Sequence, residues 1–369
     1  MADVLPTLDR LALAVAHLPG PADTHETGGA WYDVTTSDDG SVAVTVGDGG
    51  SATVARRLRA VVTGLGPGRR AADVMDRLDQ AARQIPAFPG GTALCVTLDP
   101  AGVLGWSSAG HTPPLLAGPG GVRYLDGGQG EPLGRGRPPA EGQETLSPGT
   151  TVVLCTGGSP ASCSPAADEP DQVAAGVARH HGLAPAALAR ALAGQGGNGS
   201  APAAGRTLLL VRLLPAPLEQ RLPAEPRRLA AVRRTVAAWS AQAALSDDAA
   251  ADLQLLLSEA ATNAVEHAYR GTEAGEFVYS VRRLRDAGVR VVVQDFGRWR
   301  PPPDDPGYRG RGLAVIHNLA EEVSLDFSDH GTRIAFTVPS DLPPFGERPL
   351  TGVTQGWRPD LRPGNGSSR

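Results

Sequence analysis

The stretch that most restricts what this chain can become is residues 253–271. Leu253, Leu256, Leu257, Ala260, Ala261 and Ala264 recur at helical spacing, and Gly271 follows as a stop, so the pattern predicts an amphipathic helix. Glu259, Asn263 and His267 stand at i, i+4 and i+8 along one side of that helix. A carboxylate and an amide one turn apart suit a site that holds a divalent ion and orients a hydroxyl. Polar residues on an ordinary solvated helix face give the same spacing, so the helix alone does not choose between the two. Ser246, followed by two aspartates, is suited to cap its N-terminus, because a side-chain oxygen can satisfy a free amide there.

The residues beyond this helix narrow the choice. An apolar strand pattern, Val291-Val-Val-Gln-Asp295, runs into Phe296-Gly297. A proline-rich loop over 300–308 leads to Gly310-Arg311-Gly312-Leu313, which opens a second amphipathic run through Leu319 and Val323. A short strand at 324–327 and Gly331-Thr332 at the head of a last strand complete the series. Asp at a strand end can accept an adenine amine, and glycines at a loop-to-helix junction let backbone N–H groups approach phosphate oxygens.

The order Glu-x3-Asn, Asp-x-Gly, Gly-x-Gly, Gly-Thr resembles the GHKL ATP-binding family. Within it the pattern is similar to the anti-sigma-factor serine kinases of the RsbW and SpoIIAB kind, over about the last third of the chain. The resemblance implies ATP and Mg2+ as cofactors, with Asn263 ligating the ion that bridges the phosphates and Glu259 as the general base for a substrate serine. It further implies that Asp295 accepts from the adenine amine and that Gly297 lets the backbone pass beneath the base. Gly310 and Gly312 open the phosphate-facing helix, with Arg311 as a charge partner, Thr332 at the adenine edge and His267 at the nucleotide. A second lid glycine of the family is absent, since Arg298 and Trp299 follow Gly297, and Pro301, Pro302 and Pro303 stiffen the lid.

Composition sets outer bounds. The 369 residues suffice for two domains with cores of their own. No run approaches 18 continuous apolar residues and the first residues carry no secretory pattern, so the expectation is a cytoplasmic chain with no membrane partner. The formal charge of −5 and the lack of a basic stripe argue against nucleic acid. Cys95, Cys155 and Cys163 are too few and too irregular for a disulfide framework or a zinc site. Every basic side chain among the Lys and Arg total is Arg, so any phosphate clamp must use guanidinium groups and backbone amides.

In the first part of the chain the pattern predicts a short helix over 8–17, an alternating strand over 41–48, helices over 53–62 and 71–85, and a hairpin formed by 92–98 and 103–108. A strand at 122–125, another after Gly149, a helical segment over 171–192 and a closing strand at 206–214 come next. Its tokens are Gly28-Gly-Ala-Trp-Tyr-Asp33, Val46-Gly-Asp48, Ala109-Gly-His-Thr-Pro-Pro114 and Leu154-Cys-Thr-Gly-Gly158. These resemble the SpoIIE-type serine phosphatases, a branch of the metal-dependent PPM family, over about residues 1–214. Such enzymes use two Mn2+ or Mg2+ ions to ionise a bridging water. Here Ala30 stands where the first aspartate of the family pattern belongs, Gly157 where another does, and Gly205-Arg-Thr207 where a closing aspartate pair does. Asp33 and Asp48 are the carboxylates left for a metal, which implies a degenerate phosphatase domain. The other reading is a weak site at Asp48, the Gly49 carbonyl and Asp38 or Asp39. For His111, the lone His of a Gly-His-Pro-like turn, the expectation is a structural role in that turn, with metal ligation as the alternative.

The fold class expected is therefore α+β, with an N-terminal PPM-phosphatase-like α/β sandwich and a C-terminal GHKL (Bergerat-type) ATP-binding α/β sandwich. The expected domains are 1–214, a linker at 215–226, an ATP-binding domain at 227–341 opening on a helix over 227–242, and a disordered tail at 342–369. Residues 218–222 are a candidate first strand for the second domain. By resemblance the partners are an anti-anti-sigma (STAS) protein and a sigma factor, with a homodimer through the sheet face. Four functions compete: a serine kinase acting on a STAS protein, an ATP-gated binding switch without turnover, a bifunctional kinase and phosphatase, and a two-component histidine kinase. The last lacks a phosphoacceptor helix.

Overall fold

The structure, a computed structural model, describes residues 8, 10–18, 29–88, 90–118, 120–135, 140–156, 172–183, 185–194, 206–243, 245–266, 268–269, 275–284, 288–297, 312–328 and 331–339. In the first domain one sheet holds β1 (Leu11–Leu18), β6 (Leu115–Gly118), β7 (Gly121–Tyr124), β10 (Thr151–Thr156) and β11 (Arg206–Leu213), in the order β1-β11-β10-β6-β7. A second holds β2 (Ala30–Thr36), β3 (Val42–Asp48), β4 (Thr92–Leu98), β5 (Val103–Ala109) and β8 (Gln129–Gly130) in that order, with β9 (Gly142–Thr145) also paired to β5.

The layers follow from side-chain alternation along these strands. Val42, Val44, Val46, Leu94, Val96 and Leu98 from one sheet meet Val152, Leu154, Leu209, Val211 and Leu213 from the other in a common core. The opposite face of the second sheet packs Trp31, Ala93 and Cys95 against α1 (Ala52–Leu65) and α2 (Ala71–Arg83). The opposite face of the first sheet packs Leu208 and Leu210 against α3 (Gln172–His180) and α4 (Pro185–Gly194). The result is a helix-sheet-sheet-helix sandwich.

Two expectations change here. The stretch expected as a helix at 8–17 is the strand β1, paired along its length from Leu11 opposite Leu213 to Leu18 opposite Arg206. Alanine favours helix, but in Leu-Ala-Leu-Ala-Val-Ala the bulky residues repeat at period two. Leu11, Leu13 and Val15 join the inter-sheet core, while Ala14 and Ala16 give the α4 side a close approach. The helix expected over 171–192 is two helices, α3 and α4, with Pro185 at the first position of the second, where its missing N–H costs nothing.

The second domain is a five-stranded antiparallel sheet made of β12 (Leu218–Pro223), β13 (Glu276–Arg283), β14 (Val289–Asp295), β15 (Glu321–Ser328) and β16 (Gly331–Val338), in the order β12-β13-β14-β16-β15. The candidate first strand at 218–222 is thus present as the edge strand β12, with Leu218 opposite Val281, so the stretch expected as a linker belongs in part to the second domain. Its prolines fall at the ends of the strand, where an edge tolerates them. Phe277, Tyr279, Val291, Val293, Ile334 and Phe336 form the inner face. They pack against α5 (Leu229–Gln242), α6 (Asp247–Glu266) and α7 (Gly312–Leu319). Ser246 caps α6, accepting the Ala249 N–H at 3.3 Å. Val323, expected in the helix with Leu319, lies in β15, because α7 ends as the Ala320 N–H closes on the Ile316 carbonyl. The expected stop at Gly271 and the expected tail lie outside the described residues.

Candidate functional site

The helix α6 is buried along Leu253, Leu256, Leu257, Ala260, Ala261 and Ala264, which fixes its rotation about its axis. Glu259 and Asn263 are left half-buried on the neighbouring stripe, under the first residue of α7. A Cβ placed on Gly312 would stand 2.6 Å from Glu259 Oε2 and 3.6 Å from Asn263 Nδ2. Gly312 therefore lets the helix start approach both polar side chains, as a site that cradles an anion and its cation at a helix N-terminus requires. Gly310 and Arg311, the other two members of that sequence pattern, and His267 lie outside the described residues.

The opposite wall is built by the turn after β14. Asp295 is 6% exposed, and its Oδ1 accepts the backbone N–H of Gly297 at 3.1 Å and of Thr332 at 3.2 Å. Burial raises the Asp295 carboxyl above its ordinary 3.8, against the pull of those hydrogen bonds. Close approach explains the glycines of this turn. A Cβ on Gly297 would meet the Ala268 carbonyl oxygen at 2.1 Å, just past the end of α6. Gly331, at φ +130°, lies against the Asp295 carbonyl, where a Cβ would stand 2.0 Å from it. Asp295, Gly297 and Thr332 are thus brought together at one end of the sheet, beside the helix that carries Glu259 and Asn263.

Tyr269 was not among the residues singled out by sequence. Its hydroxyl donates to the Glu276 carbonyl at 2.6 Å and accepts the Phe296 N–H at 3.0 Å, tying the end of α6 to the Asp295 turn. Only its place one turn beyond Glu266 could have signalled it. Phe296 itself is 41% exposed, with the Arg221 guanidinium 5.1 Å from its ring centroid.

In the first domain the expected carboxylates do not converge. Ala30 pairs with Asp48 and Asp33 with Thr45 in the β2–β3 ladder. Asp33 is three residues from Ala30 along the strand, so it faces the side of the sheet opposite to Asp48. Asp33, 8% exposed, meets α1, accepting from Thr63 Oγ1 at 3.1 Å and lying 3.5 Å from Arg59 Nε. Asp48 Oδ1 accepts the Gly50 N–H at 2.8 Å. Among the described residues no three His, Cys, Asp or Glu side chains gather as a metal site. The described residues therefore do not supply the ligands of a metal pair, and Asp33 and Asp48, expected together as a residual site, lie on opposite faces of the sheet.

His111 does more than hold its turn. Its Nε2 lies 2.9 Å from the Cys155 carbonyl, which can only accept, so Nε2 carries the proton. Its Nδ1 then accepts from Thr92 Oγ1 at 2.8 Å, and the ring joins β4 to β10 across the two sheets. Burial lowers its pKa to about 4, which keeps the imidazole neutral.

Comparison with known proteins agrees with this division. Residues 222–338 match the profile of the histidine kinase-like ATPase domain. Residues 38–212 match that of stage II sporulation protein E. The serine-protein kinase RsbW of Bacillus velezensis is 30% identical over 135 residues, a match that takes in 32% of this chain and 83% of the relative. The chain belongs to the RsbW serine-protein kinase family. The RsbW of Listeria innocua is 31% identical over 130 residues, 31% of this chain and 82% of the relative. RsbW-like sequence thus occupies the second domain, and a SpoIIE-family domain precedes it. The crystal structure of the RsbU and RsbW domains of a Mycobacterium tuberculosis protein is 24% identical, covering 90% of this chain and 96% of that chain with a TM-score of 0.49. Among the described residues no helix is long and apolar enough to cross a membrane.

Proposed function

We propose that the RsbW-like domain is an ATP-dependent serine kinase whose substrate is an anti-anti-sigma protein of the STAS kind. In the same reading it binds a sigma factor when that partner is absent. The observation that carries this is the contact of Gly312 with Glu259 and Asn263, which gathers a carboxylate, an amide and a helix N-terminus within one short reach. The family relation to proteins named serine-protein kinase supports it.

Bound ATP with Mg2+ would supply the phosphoryl group and the cation that screens its charge. Asn263 would hold the ion through its amide oxygen. Glu259 would accept the proton of the substrate serine as its oxygen attacks. Asp295, kept in place by the Gly297 and Thr332 amides, would accept from the exocyclic amine of adenine. Gly310, Arg311 and His267 keep the nucleotide roles implied by resemblance. We infer for the SpoIIE-like domain the role of scaffold or sensor without metal-dependent hydrolysis, on the separation of Asp33 from Asp48 and on Ala30 at the first ligand position.

The test is nucleotide binding and phosphotransfer measured together on the purified chain, with STAS proteins of the same genome as substrates. Loss of ATP binding in Asn263→Ala, and loss of transfer with retained binding in Glu259→Gln, is the expected outcome. Tight binding with no transfer to any candidate would instead make the chain an ATP-gated switch, and absence of ATP binding would end the kinase reading.

A further inference from the structure

A cavity of about 310 Å³ opens at the end of the first domain's sandwich, between Ala30 on β2, Thr207 on β11 and the start of α1. Ala30 occupies the position where the phosphatase pattern has its first aspartate, and Thr207 follows directly on the stretch where the pattern has its closing pair, so the cavity lies where metal ligands of the pattern have gone. What lines it now is of the opposite charge. Arg56 and Arg59 of α1 both face it, and no acidic side chain is among its described lining residues. Ala52, the first residue of the 14-residue helix α1, also lines it, which turns the positive end of the helix dipole toward the space. Trp31 forms part of the wall and is 6% exposed, yet its indole Nε1–H, a donor only, has no partner among the described residues.

Two guanidinium groups, a helix N-terminus and an unsatisfied buried donor are a set that favours an anion and repels a cation, while the Thr156 hydroxyl in the same wall is committed to the Gly47 carbonyl at 2.8 Å. Asp33 offsets part of the Arg59 charge at 3.5 Å, but Arg59 remains 47% exposed and lies over the Tyr32 ring at 5.9 Å, while Arg56 has no such neighbour among the ion pairs of the described residues. We propose that this cavity is a metal-independent binding site for a phosphomonoester group, so that the domain holds a phosphate where its relatives would hydrolyse one. The proposal rests on the reading of this domain as unable to hold a metal pair. Guanidinium forks bind a phosphate dianion but supply no ionised water, so the site captures the group without cleaving it.

The probe is inorganic phosphate, titrated into the full-length chain by calorimetry at pH 7.5 in excess EDTA, beside a phosphoserine peptide. The expected result is saturable binding that weakens about tenfold or more in Arg56→Gln and persists in Asn263→Ala, which disables the ATP site instead. Arg56 is exposed, so this variant should keep the wild-type thermal melt; Arg59→Gln gives the same loss by an independent substitution. Tighter binding of the peptide than of inorganic phosphate identifies a phosphoprotein as the source, and equal binding identifies free phosphate; either supports the site. Binding that appears only when Mn2+ is added overturns the proposal together with the metal-free reading of the domain. No binding with or without Mn2+ overturns the proposal alone. Binding lost in Asn263→Ala but unchanged in Arg56→Gln places the anion at the ATP site and overturns it as well.

Discussion

Ala30 and Asp48 stand directly opposite one another in the β2–β3 ladder and share a face of the sheet. Side chains so placed lie about 5 Å apart at Cβ, close enough for two carboxylates to grip one divalent ion. In this chain one of the pair is a methyl group. The geometry that survives is the frame of a metal site without its first ligand.

Ala30→Asp should therefore tighten Mn2+ binding to the first domain by about tenfold or more, read by calorimetry or by the loss of the free-ion electron paramagnetic resonance signal. Asp33→Asn, on the other face, should leave that gain intact. Equal Mn2+ affinity in the wild type and Ala30→Asp would mean that Asp48 does not face the same space.

The two site glycines of the second domain should respond differently to alanine. At Gly297 the added methyl meets backbone at 2.1 Å, which cannot move cheaply, so Gly297→Ala should lower the stability of that domain by about 1–3 kcal/mol in urea denaturation. At Gly312 the nearest atom is the mobile end of Glu259, 2.6 Å away. Gly312→Ala should thus change stability by less than about 1 kcal/mol while displacing Glu259 and cutting phosphotransfer about tenfold or more. A stability loss as large as that of Gly297→Ala would contradict the packing described for Gly312.

Asp295 links ligand affinity and stability to pH with opposite signs. Its carboxyl lies above 3.8 because it is buried, so ionisation costs more in the folded than in the unfolded chain. Its contribution to stability is complete below 3.8 and is lost as the pH rises through the raised folded value. An adenine amine needs the ionised form, so nucleotide affinity should fall as the pH is lowered through that same value. Fluorescence titration of a nucleotide analogue across the acid range should show a midpoint above 3.8 that Asp295→Asn removes.

His111 sets a second pH dependence, in the first domain. Its pKa falls from 6.5 to about 4 because burial disfavours the cation, so the folded chain resists a proton that the unfolded chain accepts. Its contribution is complete above 6.5 and is lost as the pH falls toward 4. The urea midpoint of this domain should drop between pH 7 and pH 5, and His111→Gln should flatten that slope. An unchanged slope in the variant would show that another group carries it.

Particular residues show how much of the fold and site was legible beforehand. The spacing of Glu259 and Asn263 was legible because helical geometry alone puts i and i+4 on one side, and the leucines and alanines between them fixed which side is buried. Asp295 and Gly297 were legible because an apolar run has to end somewhere, and a polar turn after it marks the place. Residues 11–18 were misread because alanine carries a helical preference, whereas only two packed neighbours show that both faces of the segment are covered. Tyr269 was missed because a hydroxyl that bridges Glu276 and Phe296 has no local signature.

By itself, then, the sequence determined the local periods, the turn chemistry and the set of polar residues available, since these depend on neighbours a few positions away. The tertiary structure decided which of them meet. Strand register set Asp33 and Asp48 on opposite faces, because side chains alternate at every residue and an odd offset reverses their direction. Helix packing brought Gly312 onto Glu259 and Asn263 from about fifty positions away, because burying the leucine face of α6 left one side on which α7 could begin.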